Sequence, residues 1–228
     1  MRIEDHDRER CRPEFEAAIL EDLEWLGYRA DAPLVRQSER GDIYRSAVQD
    51  LARRNLVYAC ECTRAQIEAR TASSSPSGEL AYDNFCRTRG LALADGVGWR
   101  VRMDPGVESF VDERLGPQQQ DPSVTGDVLV RDRLGNWTYQ WCVSVDDYRQ
   151  GIDLIIRGED LLPSTGRQLR IARLLGRARQ ATFFHHPLLM KSSTQKLSKS
   201  DGDTGIRELR ARGWTPEQVK HAARSTVL

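Results

Sequence analysis

Lysine is nearly missing from this sequence: of its 34 basic residues, 30 are Arg and four are Lys. Net charge is missing altogether, because 34 Asp and Glu balance them. No apolar run approaches the ~18–20 residues of a bilayer-spanning helix, which excludes a transmembrane helix. The start, Met1-Arg2-Ile3-Glu4-Asp5-His6-Asp7, is charged from its second residue and lacks the apolar stretch of a secretory signal, so a cytoplasmic protein is expected. What is present is ordinary for a globular protein. The 228 residues, 39% of them hydrophobic, suffice for one large domain or two small ones, with a core that needs no disulfide staples.

The charge is unevenly spread. Residues 1–148 carry a net −8, residues 149–200 a net +7, and the rest +1. Such a basic block attracts polyanions, although an arginine-rich helix face in water has the same composition. Three of the four lysines, Lys191, Lys196 and Lys199, fall within nine residues. Lysine is a compact charge on a flexible stem and suits a moving phosphate.

Arg12-Pro13-Glu14 opens a helix, and Phe15, Ile19, Leu23 and Leu26 follow at helical spacing until Gly27. Asp42 caps a second helix carrying Ile43, Ala47, Leu51 and Leu56. Residues 71–79 are a loop by composition. Residues 99–103 alternate as a strand. Segments 127–131 and 136–143 are rich in β-formers, with Leu134-Gly135-Asn136 as the hairpin turn between them. That places Cys142 on a strand, as a packing residue. The apolar run at 152–156 predicts a buried strand. A helix capped by Ser164 or Thr165 runs to Gly176, and two short helices close the chain, the second opened by Thr215-Pro216. Strands alternating with helices give the α/β class, with an irregular piece around 58–125.

Four groupings carry chemistry. Cys60-Glu61-Cys62 and Tyr82-Asp83-Asn84-Phe85-Cys86 bring three thiols close in sequence, which in the cytosol points to metal or redox work. Zinc takes four tetrahedral ligands, so three thiolates leave one place for Tyr82, for an acid such as Asp83, or for water. The plain alternative is three unrelated buried cysteines. Lys196-Leu197-Ser198-Lys199-Ser200 offers ammonium groups and hydroxyls to a triphosphate, and a solvated loop has the same composition. Arg157-Gly158-Glu159-Asp160 ends a strand, where ligands sit in open α/β sheets and an Arg can fork onto a carboxylate, unless it pairs with Glu159 or Asp160. Glu4 lies at another strand end, fit to hold an ammonium group, unless the segment is only a charged terminus.

Taken in order, these segments resemble the class I glutamyl-tRNA synthetase group. The matching pieces are R-I-E-D-x-D at 2–7, T-Y-Q-x-x-V-x-V-D-D at 138–147, G-I-D-L-I-I-R-G-E-D-L-L at 151–162, R-Q-L at 167–169, H-x-P-L at 185–188 and K-L-S-K-S at 196–200. The resemblance spans nearly the whole chain. Within the group it is nearest to the short paralogue, the glutamyl-queuosine tRNA(Asp) synthetases. C-x-C followed by Y-x-x-x-C is similar to their zinc site, and the 28 residues after K-L-S-K-S leave no room for an anticodon-binding domain.

The resemblance implies an α/β, Rossmann-like class I catalytic domain at 1–57 and 126–200, an inserted zinc-binding subdomain at 58–125 and a C-terminal helical segment at 201–228. It implies a ligase that activates glutamate with ATP, accompanied by Mg2+, and esterifies it onto queuosine in the anticodon loop of tRNA(Asp). Glu4 would bind the α-amino group of glutamate, Tyr139 would add a hydroxyl contact and Arg157 would take a carboxylate. Lys199, with Lys196, would serve the ATP phosphates. Cys60, Cys62, Tyr82 and Cys86 would hold a structural Zn2+. The protein is expected to be a monomer with no membrane partner.

The family's first strand and its HIGH-type segment are not found in the sequence, and His185-His186 lies in the wrong order to replace them. A mis-assigned start, a real truncation and a remnant kept for another role are the three readings, and a chain that has lost that central strand would expose a sheet edge and an apolar groove. The rivals are a fragment of a tRNA-charging glutamyl- or glutaminyl-tRNA synthetase, a non-catalytic zinc-containing RNA-binding remnant, and a nucleotidyl transferase of the same superfold.

Overall fold

The computed structural model describes residues 1–7, 11–71, 80–190 and 205–224. Lys191, Lys196 and Lys199, and residues 72–79 of the expected loop, lie outside them. Strand β1 (Arg2–Ile3) pairs in parallel with β2 (Val35–Arg36), and helix α1 (Pro13–Trp25) connects them. Pro13 begins α1 with Glu14 and Glu16 in its first turn, where acids meet the unpaired N–H groups. Gly27 ends it with φ +83°, a conformation open to glycine at little cost. The expected apolar stripe forms, but Phe15 and Ile19 stay exposed.

Helix α2 (Gly41–Arg53) stops before Leu56, where the expected helix carried on. Asn55 takes a positive φ, and the Leu56 N–H turns back to the Leu51 carbonyl, so Leu56 packs on the core from the turn. Next come β3 (Val57–Cys60), helix α3 (Arg64–Arg70) and β4 (Gly98–Val101). A capping box between Thr63 and Gln66 starts α3. β3, β4 and β7 (Val128–Arg131) make an antiparallel sheet in that order. β5 (Glu108–Asp112) and β6 (Gly116–Gln120) form a hairpin. Although β5 and β6 belong to the 58–125 segment, β5 lies parallel to β9 (Thr182–His186), which in turn lies parallel to β8 (Leu154–Gly158). This second sheet runs β6-β5-β9-β8.

The strand expected at 136–143 is instead the start of helix α4 (Tyr139–Arg149). The hairpin turn itself does form. Asp132 accepts the N–H groups of Leu134 and Asn136, and Gly135 has φ +91°, but a single bridge from Arg131 to Trp137 is all the pairing that follows. Cys142 therefore packs from a helix, fully buried, not from a strand. All residues from Trp141 to Asp146 are buried, so the segment shows neither the helical stripe nor the alternation that sequence patterns rely on. Its β-forming side chains are held helical by tertiary packing. Trp141 and Val145 of α4 meet Tyr44, Val48 and Leu51 of α2, Val101, Val130 and Ile171 in the main core. Ile171 comes from helix α5 (Thr165–Leu174). Phe110, Leu169, Ala181 and Phe183 form a second cluster beneath the β5–β9 pair. Helices α6 (Ile206–Ala211) and α7 (Pro216–Arg224) are the two expected short closing helices.

The apolar run at 152–156 yields β8, but not a strand buried on both faces. Among the described residues β8 is the edge of its sheet, and Leu154 and Ile156 are exposed, at 47% and 63%. Ile155 and Arg157 face the other way, onto the packed side of the sheet.

Asp146, buried on α4, ties these parts together. It accepts hydrogen bonds from Gln37 Nε2 (3.0 Å), Tyr44 Oη (2.8 Å) and Arg40 Nε (2.8 Å). Removing it strands a largely buried guanidinium, an amide and a phenol. Asp146→Ala is therefore expected to cost about 3 kcal/mol, a fall in Tm of roughly 6–12 °C for a chain of this size, read by thermal unfolding. A shift under about 2 °C would contradict the hub role.

Candidate active site and metal centre

Glu4 follows β1 directly, Tyr139 opens α4, and Arg157 lies near the C-terminal end of β8. These three expected glutamate-site residues come from distant parts of the chain and lie within electrostatic reach of one another. Arg157 lies within electrostatic reach of Tyr139, Asp147 and Glu4. Burial raises the Tyr139 phenol, and Glu4 adds to the shift. Arg2 anchors the acidic side. It donates to Asp147 Oδ1 (2.8 Å), Gln150 Oε1 (3.0 Å) and Glu4 Oε1 (3.0 Å). Burial raises the Asp147 carboxyl against the pull of Arg2.

Arg157 does not pair with Glu159, which binds Arg114 at 2.5 Å. Its guanidinium is held by neutral acceptors: Nε donates to His185 Nε2 (3.0 Å), Nη1 to Gln168 Oε1 (2.5 Å) and Nη2 to Thr165 Oγ1 (2.8 Å). Burial lowers its pKa, so the charge sits where an incoming carboxylate would be attracted strongly. Glu4, Asp147 and Arg157 act on Tyr139, and Arg2 bridges the two acids, so the place offers both carboxylates and guanidiniums to a zwitterion with one extra carboxylate.

Sequence reasoning missed Arg2, Asp147, Thr165 and Gln168. Their signal was available only as membership of R-I-E-D, V-D-D, the helix cap and R-Q-L; nothing local says that they converge. Lys196 and Lys199 lie outside the described residues.

The thiols of Cys60, Cys62 and Cys86 all lie within 4.8 Å of one another. Cys62 and Cys86 are 3.5 Å apart at sulfur. The Tyr82 hydroxyl is 3.3 Å from Cys60 Sγ and 4.0 Å from Cys62 Sγ, and it accepts the Cys86 N–H at 2.9 Å. Around a tetrahedral zinc with Zn–S near 2.3 Å, sulfurs stand about 3.8 Å apart. The donor set and its spacing fit that ion. Asp83, the acid alternative, is engaged by Arg70 at 2.5 and 3.1 Å. Arg70 also reaches Cys62 Sγ (3.3 Å), and Arg89 reaches Cys86 Sγ (3.7 Å). Burial works to raise the Cys86 thiol. A backbone bond at Glu61, the Tyr82 hydroxyl, Arg89 and Cys62 outweigh it and bring the thiol down to about 7.

Gly126 sets the position of Tyr82. It has φ +76° and ψ −179°, and a Cβ built there would stand 1.9 Å from the Tyr82 carbonyl oxygen. Gly126→Ala is expected to cost roughly 1–3 kcal/mol in backbone strain alone and to push Tyr82 from the thiols. A lower Tm together with faster labelling of Cys60 by a thiol reagent is the expected result; an unchanged labelling rate would contradict it.

The chain resembles known proteins along its length. Residues 1–225 match the family model for tRNA synthetases class I (E and Q), catalytic domain. A glutamyl-Q tRNA(Asp) synthetase of Bordetella bronchiseptica is 43% identical over 89% of this chain and 64% of its own length. A glutamate–tRNA ligase of Thermosynechococcus vestitus is 38% identical over 94% of this chain and 47% of its own. The crystal structure of a glutamate tRNA ligase of Elizabethkingia meningosepticum, in complex with its amino acid, superposes with a TM-score of 0.70 at 27% identity, covering 89% of this chain and 45% of that one. The chain thus spans under two thirds of each of these three relatives. The α/β architecture, the ordered motifs and the family match agree: the chain belongs to the class I tRNA synthetases of the glutamyl and glutaminyl type, by its catalytic domain.

Proposed function

We propose that this chain activates glutamate with ATP and transfers the glutamyl group to queuosine in the anticodon loop of tRNA(Asp). The convergence of Glu4, Tyr139 and Arg157 carries the amino-acid half of this reading. The name of the Bordetella bronchiseptica relative supports the acceptor. In the first step a carboxylate oxygen of glutamate attacks the α-phosphorus of ATP, and pyrophosphate leaves. In the second a hydroxyl of the modified nucleoside attacks the acyl carbon, and AMP leaves. Arg157 and Tyr139 hold the carboxylate that does not react, and Glu4 receives the ammonium group once it releases Arg2. Positioning and charge complementarity do the work in such a site. Lys199 and Lys196 are assigned to the phosphates of Mg2+-bound ATP on their motif alone. A single-stranded loop with a splayed base is the usual object of specific RNA recognition.

We assign a structural Zn2+ to Cys60, Cys62, Cys86 and Tyr82. When bound, it would supply a rigid four-way crosslink for a part of the 58–125 segment whose core, among the described residues, is the small cluster of Tyr58, Cys60, Ile67, Tyr82 and Cys86 with Cys62, Leu80 and Leu91 against it. One equivalent of zinc is expected to copurify, and Cys86→Ser is expected to lose it and lower Tm. Metal-free protein with the same Tm before and after a chelator would overturn the assignment.

Labelled glutamate, ATP and queuosine-bearing tRNA(Asp) test the reaction. Label is expected in the anticodon stem-loop, and Arg157→Ala is expected to raise KM for glutamate roughly 10–150-fold, the worth of a hydrogen bond to a charged group. Label at the 3′ end would mean a tRNA-charging ligase. Salt-sensitive tRNA binding with no label anywhere would mean an RNA-binding remnant.

A further inference from the structure

Behind Arg157 lies a buried acid–imidazole pair. His185 stands opposite Arg157 in the parallel β8–β9 register, and Asp112 ends β5 on the other side of β9. Both side chains are fully buried, with His185 Nδ1 2.6 Å from Asp112 Oδ2. Arginine has only donors, so His185 Nε2, which meets Arg157 Nε at 3.0 Å, has to accept. The ring proton then sits on Nδ1 and is donated to Asp112. Asp112 is saturated by donors: Oδ1 takes the N–H groups of Arg114 (3.0 Å) and Leu115 (2.9 Å), and Oδ2 also takes that of His185 (3.0 Å). The imidazole has therefore one tautomer in which every bond is made. Phe183 stacks on its face at 5.9 Å and lies under the Arg157 guanidinium at 5.5 Å, which stops both from tilting.

We propose that Asp112 and His185 are positioning residues that fix the pose in which Arg157 meets the glutamate carboxylate. This rests on the reading of Arg157 as the carboxylate-holding group. A purely structural pair would act through the Asp112–His185 bond, which joins β5 to β9. A positioning pair acts through the Nε2 acceptor. Two substitutions separate the roles. In His185→Asn the amide N–H can still reach Asp112, but no atom reaches the place of Nε2. In His185→Gln the amide oxygen reaches the place of Nε2, and the bond to Asp112 is lost.

Both variants and the wild type would be titrated with L-glutamate by calorimetry, with Tm measured on each. His185→Gln is expected to bind glutamate within about threefold of wild type, and His185→Asn about tenfold or more weakly, as for the loss of one bond to a charged group. The opposite order, or equal losses, would overturn the proposal. Exchange of the Arg157 Nε–H, followed by NMR, decides the matter if wild type fails to bind glutamate. In that case the glutamate reading fails by itself. Slow exchange in wild type and His185→Gln but fast exchange in His185→Asn still supports the positioning role, and equal exchange in all three removes it. If neither variant folds, the nitrogen shifts of His185 in wild type settle it: a protonated Nδ1 and bare Nε2 support the pair as drawn, and a protonated Nε2 overturns it.

Discussion

One buried carboxylate holds the site's two halves in register. Asp146 on α4 binds Gln37, Arg40 and Tyr44, which lie before and within α2. Gln37 in turn accepts from His6 Nδ1 at 2.9 Å, two residues beyond Glu4. The same helix presents Asp147 to Arg2 and carries Tyr139 at its start. The short β1–β2 pair, with only two residues in each strand, has little pairing of its own. Its position relative to Tyr139 is set by these polar links, so the distance between Glu4 and Tyr139, to which we assign the ammonium and carboxylate ends of glutamate, depends on a carboxylate that touches neither.

The arginine-rich composition has a structural use that charge counting does not reveal. Arg170, mostly buried, binds Glu108 and the carbonyls of Asp104 and Gly106, and Arg173 binds the same Glu108. Arg177 caps the carbonyls of Ile152 and Arg179. Arg157 is turned inward onto neutral acceptors. Much of the described part of the basic block thus fastens loops and strands through the planar fork, which presents several donors at once. The unscreened positive face suggested by a net +7 is correspondingly smaller than the count implies.

Several elements were legible because their signals are local. Pro13 and Gly27 bracket α1, and Asp132 with Gly135 makes the turn after β7. The thiol cluster was legible from spacing, since Cys60 and Cys62 straddle one residue at the end of a strand and Cys86 folds back on them. Helix α4 was hidden because it is buried nearly all round and built from aromatic and β-branched residues, so burial erased its period. The exposure of Leu154 and Ile156 was hidden because an apolar run does not report whether a strand is central or at an edge. The acceptors behind Arg157 were hidden for another reason: Thr165, Gln168 and His185 meet it only through the pairing of β8 with β9 and the docking of α5, which are long-range facts.

Glutamate-dependent ATP–pyrophosphate exchange, compared across glutamate, glutamine and aspartate, tests the central claim most directly. A site made of Arg157, Tyr139 and Glu4 predicts exchange with glutamate alone. Glutamine lacks the second carboxylate, and aspartate holds it one carbon too near. Exchange that is equal for the three amino acids, or that none of them supports, would contradict the account.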